Sequence, residues 1–366
     1  MLQAPVPKTF ALALLLLAGA LIAAGCAGPG ADEPVAQGEP AVSEHDDYPN
    51  PYGAVEPMWG DLPGDRIWGA ISAIYPSADG NMWTAERCGT NFCGDQPDVD
   101  MIVLFSPEGE ALRTFGAGLI AWPHGMFVDH EGNLWIADAT GFVAPEDVPE
   151  GLGHQVVKFS PEGEVLLVLG EPGVAGDGDG QFRMPSDVLV TPEGDIFVAD
   201  GHNSGGNNRI VKFTADGEFV MSFGETGTGP GQFRDPHALA MDSQGRLFVG
   251  DRGNNRIQLL DQDGNFLEEW LQFGRPSGVF ISADDTIYVA DSESTSEANP
   301  GFGRGIRIGS AVDGAVHSYL PDDVSDLEPG AEPVTSGPEG IAVDASGAVY
   351  GGEVRQRMVR KFARSN

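Results

Sequence analysis

Two histidines and one glutamate occupy a repeated position, directly after a proline at the start of a short apolar run: His124, His237 and Glu339. Ser186 and Ser277 hold the same position in two further copies of the pattern. Imidazole nitrogens and carboxylate oxygens bind divalent metals, and such a set favours zinc with an open position for water or substrate. A lone histidine there can also be a packing or capping residue. Its recurrence at one repeated position favours a ligand set.

A second group of chemically capable residues follows the acid that ends the second apolar run of each copy. Arg87, His202 and Arg252 come one or two residues after that acid. A guanidinium group can hold a substrate carboxylate through two hydrogen bonds, and an imidazole can act as a general base near neutral pH. The acids themselves are expected to be structural, accepting hydrogen bonds from loop amides and from Arg209 or Arg256.

These positions belong to a pattern that occurs six times, with the first copy degenerate. In residues 122–138, an apolar run is followed by a turn of acidic, Gly and Asn residues and then by a second apolar run. Two more short runs complete a copy, so one copy of roughly 40 to 60 residues contains four short strands. The repeats predict an all-β fold, a six-bladed β-propeller whose innermost strands bring the residues after proline to one mouth.

The last copy ends at residues 357–362 after only three strands, whereas residues 55–60 look like the outer strands of the other copies. We therefore expect the N-terminal segment to close the ring as the missing fourth strand, which protects sheet edges. The propeller is expected to span residues 53–364.

Residues 1–25 have the features of an export signal, because Lys8 precedes an apolar run over 10–24 that is short for a membrane span. The small residues before Cys26 resemble the lipobox of bacterial lipoproteins, in which the cysteine is lipidated. Plain secretion and an uncleaved anchor are the alternatives. Residues 26–52, rich in Gly, Ala, Pro and Glu, predict a flexible acidic linker. The chain is thus expected to be exported and lipid-anchored to the bacterial cell envelope, on its periplasmic or extracellular face.

The charge is strongly acidic, with 55 Asp and Glu against 20 Lys and Arg and a net charge of −35. This argues against nucleic acid or an anionic membrane surface as a partner and leaves the lipid anchor as the expected membrane contact. With Cys26 assigned to lipid, Cys88 and Cys93 remain either as a disulfide in an oxidising compartment or as two free thiols. We expect a monomer that binds a small-molecule or peptide substrate at the propeller mouth.

Residues 65–362 resemble the NHL-type six-bladed propellers, and in particular the peptidyl-α-hydroxyglycine α-amidating lyase family. The motifs that carry the resemblance occur in that family's order: Pro123-His124-Gly125, Gly153-His154-Gln155-Val156, Asp200-Gly201, Asn208-Arg209-Ile210, Pro236-His237 and Asp251-Arg252. Members of the family cleave a carbinolamide into an amide and glyoxylate, using zinc held by three histidines, an arginine for the substrate and a tyrosine near the metal. The resemblance implies a metal-dependent carbon–nitrogen lyase in which His124 and His237 are zinc ligands. It also implies that Arg87 contacts the substrate carboxylate and that Arg252 is a second arginine at the site.

Three positions depart from the family pattern. Glu339 stands where the family has its third histidine ligand, and a glutamate can replace histidine on zinc. His202 stands where the family has its tyrosine, so the resemblance makes His202 the candidate base. Gly340 replaces an aspartate that helps to bind a structural calcium ion in the family, which argues against that ion here.

Two other functions remain open. A non-catalytic NHL propeller that binds a protein, peptide or sugar at the cell envelope would explain the changed ligand and the changed tyrosine as losses. A gluconolactonase-like hydrolase needs a carboxylate-rich calcium site on the axis, where Glu339 is the one acid that the pattern places. Residues 177–180, Asp-Gly-Asp-Gly, are expected to form a loop and not a calcium site.

Overall fold

The computed structural model describes residues 45–140, 143–202, 205–322 and 337–365, without the side chains of residues 56–58. In this part of the chain, 24 strands form six antiparallel sheets of four strands each, which are the six blades of a propeller. The predicted fold is confirmed. The predicted signal segment, Cys26 and most of the predicted linker lie outside the described residues. No helix in these ranges is both long and apolar enough to cross a membrane.

The blades follow one another along the chain, and the first strand of each blade lies beside the first strands of its neighbours around the axis. Strand β1 (Tyr52–Trp59) precedes them. The strands of blades one to three, from the axis outward, are β2 (Ile71–Pro76), β3 (Met82–Glu86), β4 (Ile102–Phe105) and β5 (Ala111–Phe115); β6 (Trp122–Val128), β7 (Leu134–Ala139), β8 (Gln155–Phe159) and β9 (Val165–Gly170); β10 (Pro185–Val190), β11 (Ile196–Asp200), β12 (Arg209–Phe213) and β13 (Phe219–Phe223).

Blades four to six have the same order. Their strands are β14 (Pro236–Met241), β15 (Leu247–Asp251), β16 (Arg256–Leu260) and β17 (Phe266–Trp270); β18 (Pro276–Ile281), β19 (Thr286–Asp291), β20 (Gly305–Ser310) and β21 (Val316–Pro321); β22 (Pro338–Val343), β23 (Val349–Glu353) and β24 (Met358–Arg364). Two short 3-10 helices are also described, at Pro145–Asp147 and Arg252–Asn254.

Strand β1 closes the ring, as predicted, by pairing antiparallel with β24 as the outer strand of blade six. The strand begins at Tyr52, three residues before the predicted start. Trp59, at its end, is 3% exposed. Its ring centroid lies 4.9 Å from that of Tyr350 and 5.4 Å from that of Phe105. The closing strand is therefore held by aromatic packing between blades six and one as well as by its ladder.

The residues just before β1 also contact the propeller. The Asp46 carboxylate accepts a hydrogen bond of 2.8 Å from the Gly303 N–H and forms an ion pair with Arg307. The Pro49 carbonyl accepts a hydrogen bond of 3.3 Å from the Tyr319 N–H. The last residues of the segment predicted as a linker thus lie against blade five.

A buried acid stands at or next to the end of the second strand of every blade: Glu86, Asp138, Asp200, Asp251, Asp291 and Glu353. Asp138 accepts hydrogen bonds from the N–H groups of Ala121 and Trp122, at 3.0 and 2.8 Å, and so fixes the start of β6. Asp200 and Asp251 also pair with Arg209 and Arg256, at 3.3 and 2.8 Å. The predicted structural role of these two acids is confirmed. Residues 177–180 form a loop as predicted, and the carbonyls of Asp177 and Gly178 accept hydrogen bonds from Arg209.

The inner strands pack so closely that two ligand candidates must be followed by glycine. A Cβ on Gly125 would lie 2.2 Å from Oδ1 of Asp187, and one on Gly340 would lie 2.2 Å from the carbonyl oxygen of Ser72. Because no side chain fits at these two positions, neighbouring inner strands approach each other near the axis. This close approach lets side chains from different blades meet.

Candidate metal centre

Four buried side chains meet on the propeller axis: His124, His202, His237 and Glu339. Each offers one ligand atom, and the four atoms lie within 4.8 Å of one another. Nε2 of His124 is 3.4 Å and Nε2 of His237 is 3.5 Å from Oε1 of Glu339. The structure thus brings together the three residues that the repeat pattern singled out and adds His202 to them.

The convergence of the first three residues follows from the order of the blades. His124, His237 and Glu339 each directly follow the proline near the start of an inner strand, as the third residue of β6 and the second residue of β14 and β22. These strands belong to blades two, four and six, so the three side chains approach the axis from alternate blades. Ser186 and Ser277 hold the same position in blades three and five.

The serine positions orient the histidines through their backbone carbonyls. Nδ1 of His124 lies 2.6 Å from the carbonyl oxygen of Ser186, and Nδ1 of His237 lies 2.6 Å from that of Ser277. A carbonyl oxygen can only accept, so each Nδ1 carries the proton and donates it. In the neutral imidazole this leaves the lone pair on Nε2, which faces the axis. Such an outer hydrogen bond is usual for histidines that bind metals.

The inward-facing Nε2 atoms make no hydrogen bond within the described part of the chain, although the Glu339 carboxylate lies within 3.5 Å of both. Nε2 of His124 and Nε2 of His237 are buried and have no hydrogen-bond partner among the described residues. Burial lowers the pKa of both histidines. Glu339 raises the pKa of His124, but this effect is smaller than that of burial. Burial alone would raise the pKa of Glu339, but His124, Arg252 and Arg87 outweigh it and lower this pKa to about 2. Two imidazole lone pairs and an ionised carboxylate therefore face one another, an arrangement that a divalent cation would stabilise.

His202 reaches the same place from the loop after β11. Its ring centroid is 4.5 Å from that of His124, 5.0 Å from that of His237 and 5.1 Å from the Trp122 ring. Burial and the neighbouring charges of His124, Arg252 and Arg87 lower the pKa of His202 well below its ordinary value. An imidazole held neutral in this way binds protons weakly and is well suited to ligate a metal.

Arg87 lies beside the cluster, but the protein itself binds its guanidinium. Nε donates to the carbonyl of Pro123 at 3.1 Å, Nη1 to Oδ1 of Asn91 at 2.7 Å and Nη2 to Oγ of Ser72 at 2.9 Å. The side chain stacks on Trp122, and the residue is 1% exposed. Burial lowers the pKa of Arg87 to about 10, partly opposed by Glu339, so it stays charged at neutral pH. All three nitrogens of the Arg87 guanidinium therefore donate hydrogen bonds to protein acceptors.

Arg252 directly follows β15, the second strand of blade four. Its Nε donates to Oδ2 of Asp235 at 2.8 Å, and its Nη1 lies 3.6 Å from Oε1 of Glu293. Burial opposes the charge of Arg252, but Asp235, Glu293 and Glu339 more than offset it and raise the pKa. Glu293 is 43% exposed, so this arginine lies between the buried cluster and the solvent-facing mouth.

Cys88 and Cys93 form a disulfide with a Cα–Cα distance of 5.1 Å. The loop that it closes contains Asn91, a partner of Arg87, and the Cys93 N–H donates to the carbonyl of Ala121 at 2.8 Å. The loop therefore connects Arg87 to the segment that precedes His124.

An axial cavity of about 310 Å³ lies against the cluster and is lined by all six inner strands. Asp187 lines it, and its Oδ2 accepts a hydrogen bond of 2.7 Å from the Leu239 N–H in the next blade. Burial raises the pKa of Asp187 to about 7. The repeat pattern did not predict a functional role for Asp187, Trp122 or Asn91. The signal for Asp187 was present, because it alone is acidic at a position held elsewhere by Gly or Ala.

The comparisons with known proteins agree with this architecture. The NHL repeat family model matches residues 182–213 and 233–258. A probable peptidyl-alpha-hydroxyglycine alpha-amidating lyase of Caenorhabditis elegans is 34% identical over 161 residues, which is 43% of this chain and 42% of that protein. The solved structure of virginiamycin B lyase from Staphylococcus aureus covers 85% of this chain and 99% of its own, with a TM-score of 0.54. At 12% identity this likeness concerns the fold alone.

NHL repeat-containing protein 3 of Homo sapiens is 32% identical over 292 residues, which is 76% of this chain and 77% of that protein. Repeats, blade number and this similarity agree, so the chain belongs to the NHL-repeat family of six-bladed propellers that includes NHL repeat-containing protein 3.

Proposed function

We propose that this protein is a metal-dependent carbon–nitrogen lyase that splits a carbinolamide into an amide and glyoxylate or acts on a related small substrate. The observation that carries the proposal is the pair of buried Nε2 atoms, on His124 and His237, that lie 3.4 and 3.5 Å from the Glu339 carboxylate and make no hydrogen bond to the described residues. The similarity to a probable amidating lyase supports the same reaction class.

In this reaction the carbinol carbon loses its bond to nitrogen while its C–O bond becomes the carbonyl of glyoxylate. The hydroxyl proton leaves oxygen, and the departing nitrogen gains a proton, so no oxidant or reductant is needed. His124, His237 and Glu339 would hold the divalent ion, with zinc as the first candidate. The bound ion supplies a Lewis acid that lowers the pKa of the substrate hydroxyl.

The remaining charged groups would orient the substrate. Arg252 lies toward the mouth and can pair with a substrate carboxylate. Arg87, whose nitrogens donate to Pro123, Asn91 and Ser72, positions the start of β6 and adds positive charge near the cluster. The family resemblance implied that Arg87 contacts the substrate carboxylate, and we now assign this contact to Arg252 because all three Arg87 nitrogens already donate to protein acceptors.

The test is a release assay with N-benzoyl-α-hydroxyglycine and protein reloaded with zinc. We expect benzamide and glyoxylate in equal amounts, and a loss of at least about tenfold in rate for His124→Ala and His237→Ala. His130→Ala is the matched control, since His130 is exposed and separate from the cluster. Equal rates of glyoxylate release by wild type and both cluster variants would refute the proposal.

A non-catalytic scaffold is the second candidate, because both departures, Glu339 and His202, change positions that the lyase family uses for chemistry. A protein that releases no glyoxylate, but whose cluster variants still bind a macromolecule, would be such a scaffold. The described residues give little support to a gluconolactonase-like hydrolase, because their axial cluster has one carboxylate among three histidines.

We also propose that the protein is an exported monomer anchored to a bacterial envelope by lipid on Cys26. The Cys88–Cys93 disulfide supports an oxidising compartment. Expression in a bacterial host tests the anchor: wild type should partition into detergent, and Cys26→Ser should appear in the aqueous phase. Aqueous partition of both forms would exclude the anchor.

A further inference from the structure

The position of His202 beside the other three donors makes this site different from a metal centre with three protein ligands. His124, His237 and Glu339 arrive from alternate blades and surround the axis. His202 arrives from the loop after β11 in blade three, between blades two and four, with its ring 4.5 and 5.0 Å from the rings of His124 and His237. It is 2% exposed, and its ligand atom lies within 4.8 Å of each of the other three.

We propose that His202 is a fourth protein ligand and not the base, and that the site takes an α-hydroxy carboxylate that binds through both its hydroxyl and its carboxylate oxygens. The ligand role of His202 stands by itself, whereas the substrate class rests on the proposed lyase function.

Four protein ligands would fill the tetrahedral coordination of zinc, so a zinc ion held here would have to accept a fifth ligand to bind substrate. An ion that prefers six ligands keeps two positions open. One chelating ligand could fill both positions if they were neighbours. A ligand with two oxygens on adjacent carbons fits neighbouring positions, because it closes a five-membered ring.

The hydrogen bonds and the stacking contact of Arg87 favour the same substrate class. Its three nitrogens donate to Pro123, Asn91 and Ser72, and it stacks on Trp122. A substrate carboxylate would have to displace these buried contacts to reach it. Carboxylate binding by the ion needs no displacement of the Arg87 contacts. The hydroxyglycine part of a carbinolamide is itself an α-hydroxy carboxylate.

Cobalt(II) provides a test that does not depend on turnover. Metal-free wild type, His202→Ala and His202→Gln are titrated with Co²⁺ while the visible absorption is recorded, and glycolate is then added, with methoxyacetate as the matched probe whose hydroxyl is blocked. We expect the weak absorption of a six-coordinate ion in wild type and a spectral change with glycolate that exceeds the change with methoxyacetate. Both His202 variants should bind Co²⁺ at least about tenfold more weakly.

His154→Ala is the matched control, since His154 also lies in a loop at the mouth face, outside the cluster, and contacts the Arg183 carbonyl. Wild-type affinity and spectrum in a folded His202 variant would overturn the ligand role. An intense four-coordinate spectrum that ignores glycolate would overturn the substrate class. If the cobalt results hold but N-benzoyl-α-hydroxyglycine releases no glyoxylate, only the lyase function fails.

Discussion

The guanidinium carbon of Arg87 lies 3.7 Å from the centroid of the Trp122 indole ring. This stack connects the end of the second strand in blade one to the first residue of β6, which also carries His124. Arg87 donates in addition to the carbonyl of Pro123, between Trp122 and His124. One buried cation thereby fixes the backbone that presents a ligand candidate.

Substitution of Arg87 by alanine should destabilise the fold and weaken metal binding together. It leaves the Asn91 and Ser72 partners and the Pro123 carbonyl without their donor, so we expect a loss of about 2 to 4 kcal/mol in the free energy of unfolding. Urea denaturation measures the loss. Arg113→Ala is the control, because Arg113 is 42% exposed on an outer strand and should change stability by less than about 0.5 kcal/mol. Similar losses in both variants would contradict the bracing role of Arg87.

Metal should stabilise the folded protein through the cluster. At free zinc about 100 times its Kd, the wild type should gain about 2.7 kcal/mol in the free energy of unfolding. Glu339→Gln keeps the side-chain volume but removes the charge, so its gain should be smaller, and bound zinc after dialysis should fall below one per chain. Elemental analysis measures the bound zinc per chain, and thermal melts with and without zinc measure the gain in stability. His130→Ala should behave as wild type, and a zinc response in Glu339→Gln equal to that of wild type would rule out Glu339 as a ligand.

Removal of the Cys88–Cys93 disulfide should destabilise the protein by about 2 kcal/mol, because the bond closes a short loop in the unfolded chain. The double variant Cys88→Ser/Cys93→Ser should also bind metal more weakly, since Asn91 in that loop holds Arg87. Chemical denaturation and zinc titration of the double variant measure these effects. Asn91→Ala, with the disulfide intact, is the matched control: it should reproduce the change in metal affinity but not the full loss of stability. A double variant as stable as wild type would refute the prediction.

Asp187 should make the stability depend on pH. Burial raises its pKa from 3.8 to about 7 in the folded state, so between these values the folded protein binds more protons than the unfolded chain. Its contribution to stability therefore falls as pH rises through that window. Asp187→Asn cannot ionise, and relative to wild type it should gain about 2 to 3 kcal/mol between pH 5 and pH 8. Urea denaturation of metal-free protein at both pH values measures this, and an unchanged difference between the two forms would show that Asp187 does not titrate there.

Closure of the ring should depend on Trp59. Trp59→Ala removes a 3% exposed indole from its packing on Tyr350 and Phe105, with an expected loss of about 3 to 5 kcal/mol. Val55→Ala, in the same strand but 49% exposed, should have little effect. Thermal melts compare the two variants. If they were equally stable, the closing strand would be held by its backbone ladder alone.

Much of the architecture could be predicted from the sequence because its information is periodic. Each blade repeats an apolar run, a turn and a second run ending in an acid, so the number of blades and the position of their inner strands follow from the pattern. The same periodicity placed His124, His237 and Glu339 at one mouth. The missing fourth strand of the last copy pointed to β1, although its start at Tyr52 was not predicted.

The repeat pattern could not predict the contacts of side chains that lie in loops. His202 follows a repeated acid, but its side chain enters the ligand cluster because the loop after β11 turns toward the axis, which no local pattern encodes. Arg87 suited a substrate contact by its type, yet the folded chain surrounds it with Pro123, Asn91 and Ser72 from residues 4 to 36 positions away. The sequence determined the blades and three ligand candidates, since these depend on repeated local patterns. Only the tertiary structure decided which other side chains meet them, since that depends on packing between distant segments.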